Sequence, residues 1–267
     1  MSEVKKFVLI TGANGGMGKA FTCLLLERGY SVIGLDIVEG ESKENFIPIK
    51  ADLTDFSSVK NAFNKVAEIT DNLYAIVHFA GIYSLDSLVE IPSENFEKVI
   101  KCNLFSAFFV NKAFFPLLDK ASKIIMITSE LAALYPLPFT GLYGVSKGAL
   151  DKYAYSLRME LQLLGISVSV LRAGAVDTNM LGVSTTALDR FCENTKIYSC
   201  NAKRFKKIVD RVEARKISPH KLAKKTYKIL DKKRPKFAYK INRNPLLLLL
   251  NALPKGFQLW IIKKILK

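Results

Sequence analysis

Residues 6–28 read KFVLITGANGGMGKAFTCLLLER, and the order of their parts decides the fold. KFVLIT (Lys6–Thr11) is apolar and rich in β-branched residues, as a strand covered on both faces must be. The loop Gly12-Ala13-Asn14-Gly15-Gly16-Met17-Gly18 follows at once, and an amphipathic helical stretch is predicted over Met17–Arg28. Glycine lets the backbone turn sharply and approach a ligand closely. The free N–H groups at a helix start then present a partial positive charge. Strand, glycine-rich loop and helix in this succession make a cradle for a pyrophosphate.

Working outward, the same alternation recurs. Strands are predicted at Ser31–Asp36, Phe46–Ala51, Tyr74–Phe79, Lys123–Thr128 and Ile166–Leu171, with a last one over Phe237–Ile241. Helical stretches are predicted over Ser57–Ile69, Ser93–Leu118 and Val145–Leu164, and from Pro219 behind an N-cap at Ser218. The expected fold is α/β, a doubly wound parallel sheet of the Rossmann type, which binds ligands at the carboxyl ends of its strands. One domain is expected over residues 1–243, with a substrate-covering segment at 178–217 and a helical C-terminal extension at 244–267. Asp36 ends the second strand 18 residues after Gly18. A carboxylate there accepts hydrogen bonds from an adenosine ribose and repels a 2′-phosphate, which favours NAD over NADP.

A second constellation is Tyr143-Gly-Val-Ser-Lys147, preceded by Ser129 at a strand end. Residues four apart share a helix face, so phenol and ammonium point to one place. A neighbouring cation is expected to lower the tyrosine pKa from its reference of about 10 and so make Tyr143 a general acid/base.

These motifs together resemble the short-chain dehydrogenase/reductase family. Thr11 to Gly18 matches TGxxxGxG at every fixed position, and Tyr143 and Lys147 match YxxxK. The resemblance runs over about residues 5–180 and places six motifs in family order. It implies a catalytic set of Asn103, Ser129, Tyr143 and Lys147. Tyr143 would exchange a proton with the substrate oxygen, and Ser129 would hydrogen-bond that oxygen. Lys147 would hold the nicotinamide ribose and depress the tyrosine pKa, and Asn103 would support a water next to the lysine. Cofactor contacts are implied at Gly12, Asn14, Gly15, Gly16, Met17, Gly18, Asp36, Asp52, Leu53, Ala80, Gly81, Tyr143, Lys147, Val176 and Thr178. The chain departs from the pattern at His78 and Phe79, where the family has asparagine, and at Ala173, where it has proline. Ser129 lies 14 residues before Tyr143, one more than the family spacing. Glu130 is the rival for that place, but an ionised carboxylate has no proton to donate to a carbonyl. His78 is read as structural. The family also pairs through its two long helices, which here carry Phe105, Phe108, Phe109, Phe114 and Phe115, so a homodimer or homotetramer is expected.

Apolar residues gather where such proteins bind substrate. Leu134, Tyr135, Leu137 and Phe139 precede the tyrosine, while Met180, Leu181, Val183, Leu188, Phe191, Ile197 and Tyr198 follow Thr178. The expected activity is oxidation of a primary or secondary alcohol, or reduction of its ketone or aldehyde, with a steroid-, retinoid- or acyl-like substrate. The alternative is a non-catalytic dinucleotide-binding or scaffold protein on the same fold. Four cysteines without CxxC spacing and two distant histidines offer no metal site.

The net charge of +16 is unevenly spread. Residues 1–202 hold 19 Lys and Arg against 21 Asp and Glu, whereas residues 203–267 hold 21 against 3. The basic quarter merges into LLLLLNALPKGFQLWIIKKILK, which does not look like a base-reading segment, so nucleic acid is not expected as a partner. Two readings remain for this tail: an anchor lying on an anionic membrane surface, which is favoured, or a segment docked on the protein's own body. Without an apolar signal region at the start, the expected location is cytoplasmic, with peripheral membrane association through the tail.

Overall fold

The computed structural model describes residues 5–213 and 215–267, without the side chains of residues 179–186 and 210–213. Seven strands form one all-parallel sheet: β1 (Phe7–Thr11), β2 (Ser31–Asp36), β3 (Phe46–Lys50), β4 (Ala75–His78), β5 (Lys123–Ser129), β6 (Ser167–Ala173) and β7 (Ala238–Ile241). Their order is β3-β2-β1-β4-β5-β6-β7, so the chain reverses direction across the sheet between β1 and β4. Thr11, the last residue of β1, pairs with Leu35 of β2 on one side and His78 of β4 on the other. The crevice at that reversal is where an open α/β sheet binds its ligand.

Helices cover both faces. α1 (Gly16–Leu26) and α8 (Pro219–Leu230) lie on one side, where Phe21, Leu24, Leu25, Leu222, Ala223, Ile229 and Leu230 bury against Val8, Ile10, Val32 and Val77. On the other side α2 (Phe56–Ala67), α4 (Ser106–Phe114) and α5 (Gly141–Leu161) set Val59, Val66, Val110, Phe114, Leu150 and Ala154 against Leu9, Ile33, Ile76, Ile124 and Val168. Continuous apolar strands are the consequence of burial on both faces.

Several predicted boundaries move. Ser93–Leu118 is not one helix: α3 (Ser93–Ile100) passes through a π-helical turn at Lys101–Phe105 into α4, and Pro116 sits in a closing 3-10 turn at Phe115–Leu117. The helix predicted from Val145 begins at Gly141, so Tyr143 stands in its first turn. Strand ends are displaced by one or two residues, with Lys6, Ala51, Tyr74 and Phe79 falling outside and Ser129 falling inside.

The C-terminal quarter decides between the two readings of how the tail lies against the body. α6 (Asn179–Asn194), α7 (Ser199–Glu213), α9 (Pro245–Ala252) and α10 (Lys255–Leu266) fold over the carboxyl ends of the strands. Leu188, Phe191, Ala202, Phe205 and Leu266 form a third apolar cluster there, with Phe139 and Tyr198 packed against it. The tail is therefore docked on the body, as the second of the two readings has it, and this docking leaves the outward face of α10 open to a further contact. The leucines have an apolar cleft to cover, and burial of such surface is favourable at roughly 25 cal/mol per Å².

Candidate active site

The glycine-rich loop owes its shape to close approach. Gly12 adopts φ +67°, donates its N–H to the Leu35 carbonyl at 2.8 Å, and has the Ala80 nitrogen 2.8 Å from where a β-carbon would sit. A β-carbon on Gly18 would lie 2.1 Å from the Gly12 carbonyl oxygen. The N-cap of α1 is Gly15, which offers no side-chain hydrogen bond, and the first turn carries no acid. Its amide groups are thus left for an external anion, which fits a dinucleotide diphosphate.

Asp36 closes the edge of this cradle. Its carboxylate accepts from the backbone N–H of Asn14 at 2.9 Å and of Val38 at 3.1 Å, and the Asn14 amide donates to the Val38 carbonyl at 2.8 Å. At the end of β3, Asp52 accepts from the Thr54 N–H and hydroxyl at 2.8 and 2.7 Å, and Leu53 is buried beside it.

The second constellation assembles one strand away. Ser129 ends β5, Tyr143 and Lys147 lie in the first two turns of α5, and Asn103 projects from the π-helical turn. The Ser129 hydroxyl accepts the Leu131 N–H at 3.2 Å and stands beside the Tyr143 phenol. The Tyr83 ring packs on Tyr143 at 4.9 Å between centroids. The Lys147 ammonium donates to the Ile127 carbonyl at 3.3 Å. The Asn103 carbonyl accepts from the Ile82 N–H at 2.7 Å, and its amide donates to the Ile82 carbonyl and the Ser146 hydroxyl, both at 2.9 Å. A β-carbon on Gly81 would meet the Asn103 oxygen and the Lys147 nitrogen, each at 3.1 Å, so only glycine leaves the space before the lysine open.

Electrostatics here depart from expectation. Burial pushes the Tyr143 phenol up to about 12, only partly offset by the hydrogen bond with Ser129. Burial also pulls the Lys147 ammonium down to about 8. Lys147 was expected to depress the tyrosine pKa, yet the loss of water outweighs any help from a cation that is itself desolvated. At neutral pH the Tyr143 phenol is accordingly protonated. His78 lies beneath, with its Nε2 2.9 Å from the Asn111 side-chain oxygen, and burial lowers it to about 4. It is a neutral structural residue.

Above these groups lies a cavity of about 540 Å³. Of the expected site residues, Met17, Gly81, Ser129, Tyr143, Lys147, Val176 and Thr178 line it. Asn103 is buried under its floor. Gly12, Asn14, Gly15, Gly16, Gly18, Asp36, Asp52, Leu53 and Ala80 belong to the strand ends and loops outside its lining, toward the β2–β3 side. Among the apolar residues expected over the substrate, Leu137 lines the cavity, while Leu188 and Phe191 pack in the third core cluster. Tyr135 and Ile197 face solvent. The side chains of Met180, Leu181 and Val183 lie outside the described residues.

Sequence reasoning missed much of the wall: Tyr83, Phe205, Ile208 and Val209, together with Leu247, Leu250, Leu253, Ile262 and Leu266 of the tail. The run LLLLL signals apolarity without saying what it covers. Glu130, considered as a rival to Ser129, instead fastens this roof: its carboxylate accepts the Asn244 N–H at 2.8 Å. Burial raises its pKa, against the opposing effects of that hydrogen bond and of Arg243. Asn251 accepts the Tyr135 N–H at 2.7 Å, and Asn201 donates to the Leu266 carbonyl at 2.6 Å. Among the described residues no group of His, Cys, Asp and Glu could hold a metal ion.

A family model described as short chain dehydrogenase matches residues 6–189. The chain belongs to the short-chain dehydrogenases. It is thus an oxidoreductase of a family that binds NAD(H) or NADP(H). It is 30% identical over 195 residues to the NADPH-dependent 1-acyldihydroxyacetone phosphate reductase of Schizosaccharomyces pombe, covering 69% of this chain and 66% of that protein. It is 31% identical over 190 residues to estradiol 17-beta-dehydrogenase 2 of Mus musculus, covering 67% of this chain and 50% of the mouse protein. The match thus spans less than two thirds of either relative's length. A solved short chain dehydrogenase family protein from Francisella tularensis superposes with a TM-score of 0.75 at 26% identity, covering 89% of this chain and 97% of that one.

Proposed function

We propose that this short-chain dehydrogenase interconverts a lipophilic alcohol with its ketone or aldehyde, uses NAD in preference to NADP, and works through Asn103, Ser129, Tyr143 and Lys147. The observation that carries the reading is the Ser129–Tyr143–Lys147 group standing at the floor of a largely apolar cavity of about 540 Å³. Such a volume suits a drug-sized apolar molecule with one polar group to be oriented. The two relatives are named for an acyl-bearing ketone and for a steroid, both lipophilic.

The nicotinamide, once bound, supplies or accepts the hydride. The chain's own residues do the rest. Ser129 and Tyr143 hold the substrate oxygen between two hydroxyls, and Tyr143 delivers or takes its proton. Lys147 and Asn103 are the polar groups next to the space that Gly81 leaves open; Lys147 is placed to hold a ribose, and Asn103 fixes the Ile82 loop that shapes the space. Val176 and Thr178, on the loop after β6, would bound the nicotinamide, and Asp52 and Leu53 the adenine. Asp36 supports the choice of NAD, since a 2′-phosphate would meet its carboxylate. The yeast relative is NADPH-dependent by name, so the preference needs its own test.

That test is steady-state kinetics with both cofactors across ketones and alcohols of rising apolar size. kcat/KM should rise with chain or ring size and be higher with NAD(H), and Asp36→Ala should narrow the cofactor preference. Tyr143→Phe should lower turnover by 10²-fold or more while dinucleotide binding survives. Higher kcat/KM with NADP(H) refutes the cofactor assignment. Dinucleotide binding without turnover across the series marks the non-catalytic alternative.

A further inference from the structure

The tail encloses the cavity and also carries apolar side chains that enclose nothing. Leu246, Leu249 and Ile265 line the cavity and yet are 68%, 64% and 53% exposed, so they form the rim of its mouth. Next to them Leu259 and Trp260 are 69% and 54% exposed; the Trp260 ring stacks on the exposed Phe257, at 5.6 Å between centroids, and the Lys264 ammonium lies over it at 6.0 Å. On α10 the buried residues Gln258 and Leu266 define the inward face. Helical spacing then puts Trp260, Lys263, Lys264 and Lys267 on the opposite, outward face. An indole beside ammonium groups suits the boundary between lipid tails and headgroups.

Charge selects the partner. Residues 232–267 contain ten Lys and Arg and no Asp or Glu. Among the described residues, none of Lys255, Lys263, Lys264 and Lys267 takes part in an ion pair. A second copy of the chain seated on this patch would bring two such basic surfaces together, and like charges across an interface are costly. An anionic lipid surface covers the apolar rim and neutralises the lysines at once. Among the described residues no helix is long and apolar enough to cross a membrane, so the contact lies in the interfacial plane.

We propose that the mouth of the cavity sits on an anionic membrane surface, with α9 and α10 as both roof and seat, so that substrate enters from the lipid phase. The route of entry rests on the lipophilic substrate proposed above. The seating itself does not.

Trp260 is the chain's only tryptophan and therefore a direct probe. Full-length protein would be mixed, without cofactor or substrate, with vesicles of phosphatidylcholine alone and with vesicles containing 30% phosphatidylglycerol. The indole emission should shift to the blue and the protein should sediment with the anionic vesicles only, with at least tenfold weaker partitioning in 0.5 M NaCl. Lys263→Glu with Lys264→Glu should weaken partitioning tenfold or more, and Leu259→Ser with Trp260→Ser should do the same by sedimentation. Both pairs are exposed, and unchanged circular dichroism and thermal midpoints establish that they fold. Equal behaviour with the two vesicle types, or no shift in emission, overturns the proposal. So does self-association in light scattering that the same substitutions abolish, because the patch would then belong to a second copy. These readouts need no turnover, so a failed activity screen leaves them standing. For entry from lipid, kcat/KM on a vesicle-borne substrate should fall with Lys263→Glu and Lys264→Glu, while that on a water-soluble ketone stays unchanged; an equal fall on both refutes this route.

Discussion

His78 gives the fold a defined acid sensitivity. Its imidazole is fully buried at the end of β4, bonded to Asn111, whose amide donates in turn to the Tyr153 hydroxyl at 3.1 Å. Burial, together with the nearby Lys147 charge, lowers its pKa from 6.5 to about 4, against the opposing pull of the Asn111 hydrogen bond. Between those values the unfolded chain holds a proton that the folded chain lacks, so stability falls as pH falls. Full expression of the difference amounts to about 3 kcal/mol, of which about 2 kcal/mol is in force at pH 5.0 and almost none at pH 7.5. His78→Gln keeps an N–H for Asn111 but does not titrate. Urea unfolding of both proteins at pH 7.5 and 5.0 separates this contribution from the carboxylates, which the two share. The gap in unfolding free energy between wild type and variant should move by about 2 kcal/mol in favour of the variant on going to pH 5.0. Parallel pH dependences would refute the reasoning, since a histidine that keeps its proton in the folded state costs nothing on acidification.

Two further outcomes concern chemistry and assembly. With the Tyr143 phenol pushed up to about 12, alcohol oxidation needs the rarer phenolate and should quicken steadily from pH 7 to pH 10, whereas ketone reduction should show no rise over the same range; stopped-flow hydride transfer in both directions measures it. Phe105, Phe108 and Phe115 stay exposed around α4, as do Tyr155 and Met159 on α5, so isologous pairing through these helices is expected to give a dimer or tetramer. Phe108→Asp with Met159→Glu should yield monomers in light scattering, and a wild type already monomeric at micromolar concentration would count against the pairing.

The sheet was legible because each strand is a short apolar run and the Gly12–Gly18 loop admits few alternatives. The proposed reactive group could be assembled from the sequence because Tyr143 and Lys147 are four apart on one helix and Ser129 ends the strand before them. Three things were not legible. Helix continuity failed at Lys101–Phe105, where a π-helical turn leaves no compositional trace. The pKa of Tyr143 depends on how much water the roof excludes, a property of packing at long range. The seat of the tail was not legible because five consecutive leucines satisfy a membrane and a cleft equally well; the contacts of Asn244, Asn251 and Leu266 with the body reveal that the segment is tied down.

The π-helical turn carries a consequence of its own. A helix with one extra residue in a single turn is out of phase with itself, each residue advancing by about 100°. Here the phase change lets α3 and α4 face different neighbours while Asn103, at the middle of the turn, reaches the Ile82 backbone on both its donor and acceptor sides. Loss of one residue from Lys101–Phe105 would restore an uninterrupted helix and swing one half by that angle. Phe114 and Val110 could keep their places in the core, but Asn103 would then leave the cleft. A deletion in this segment therefore bears first on where Asn103 points, a change that comparison by percentage identity would hardly register.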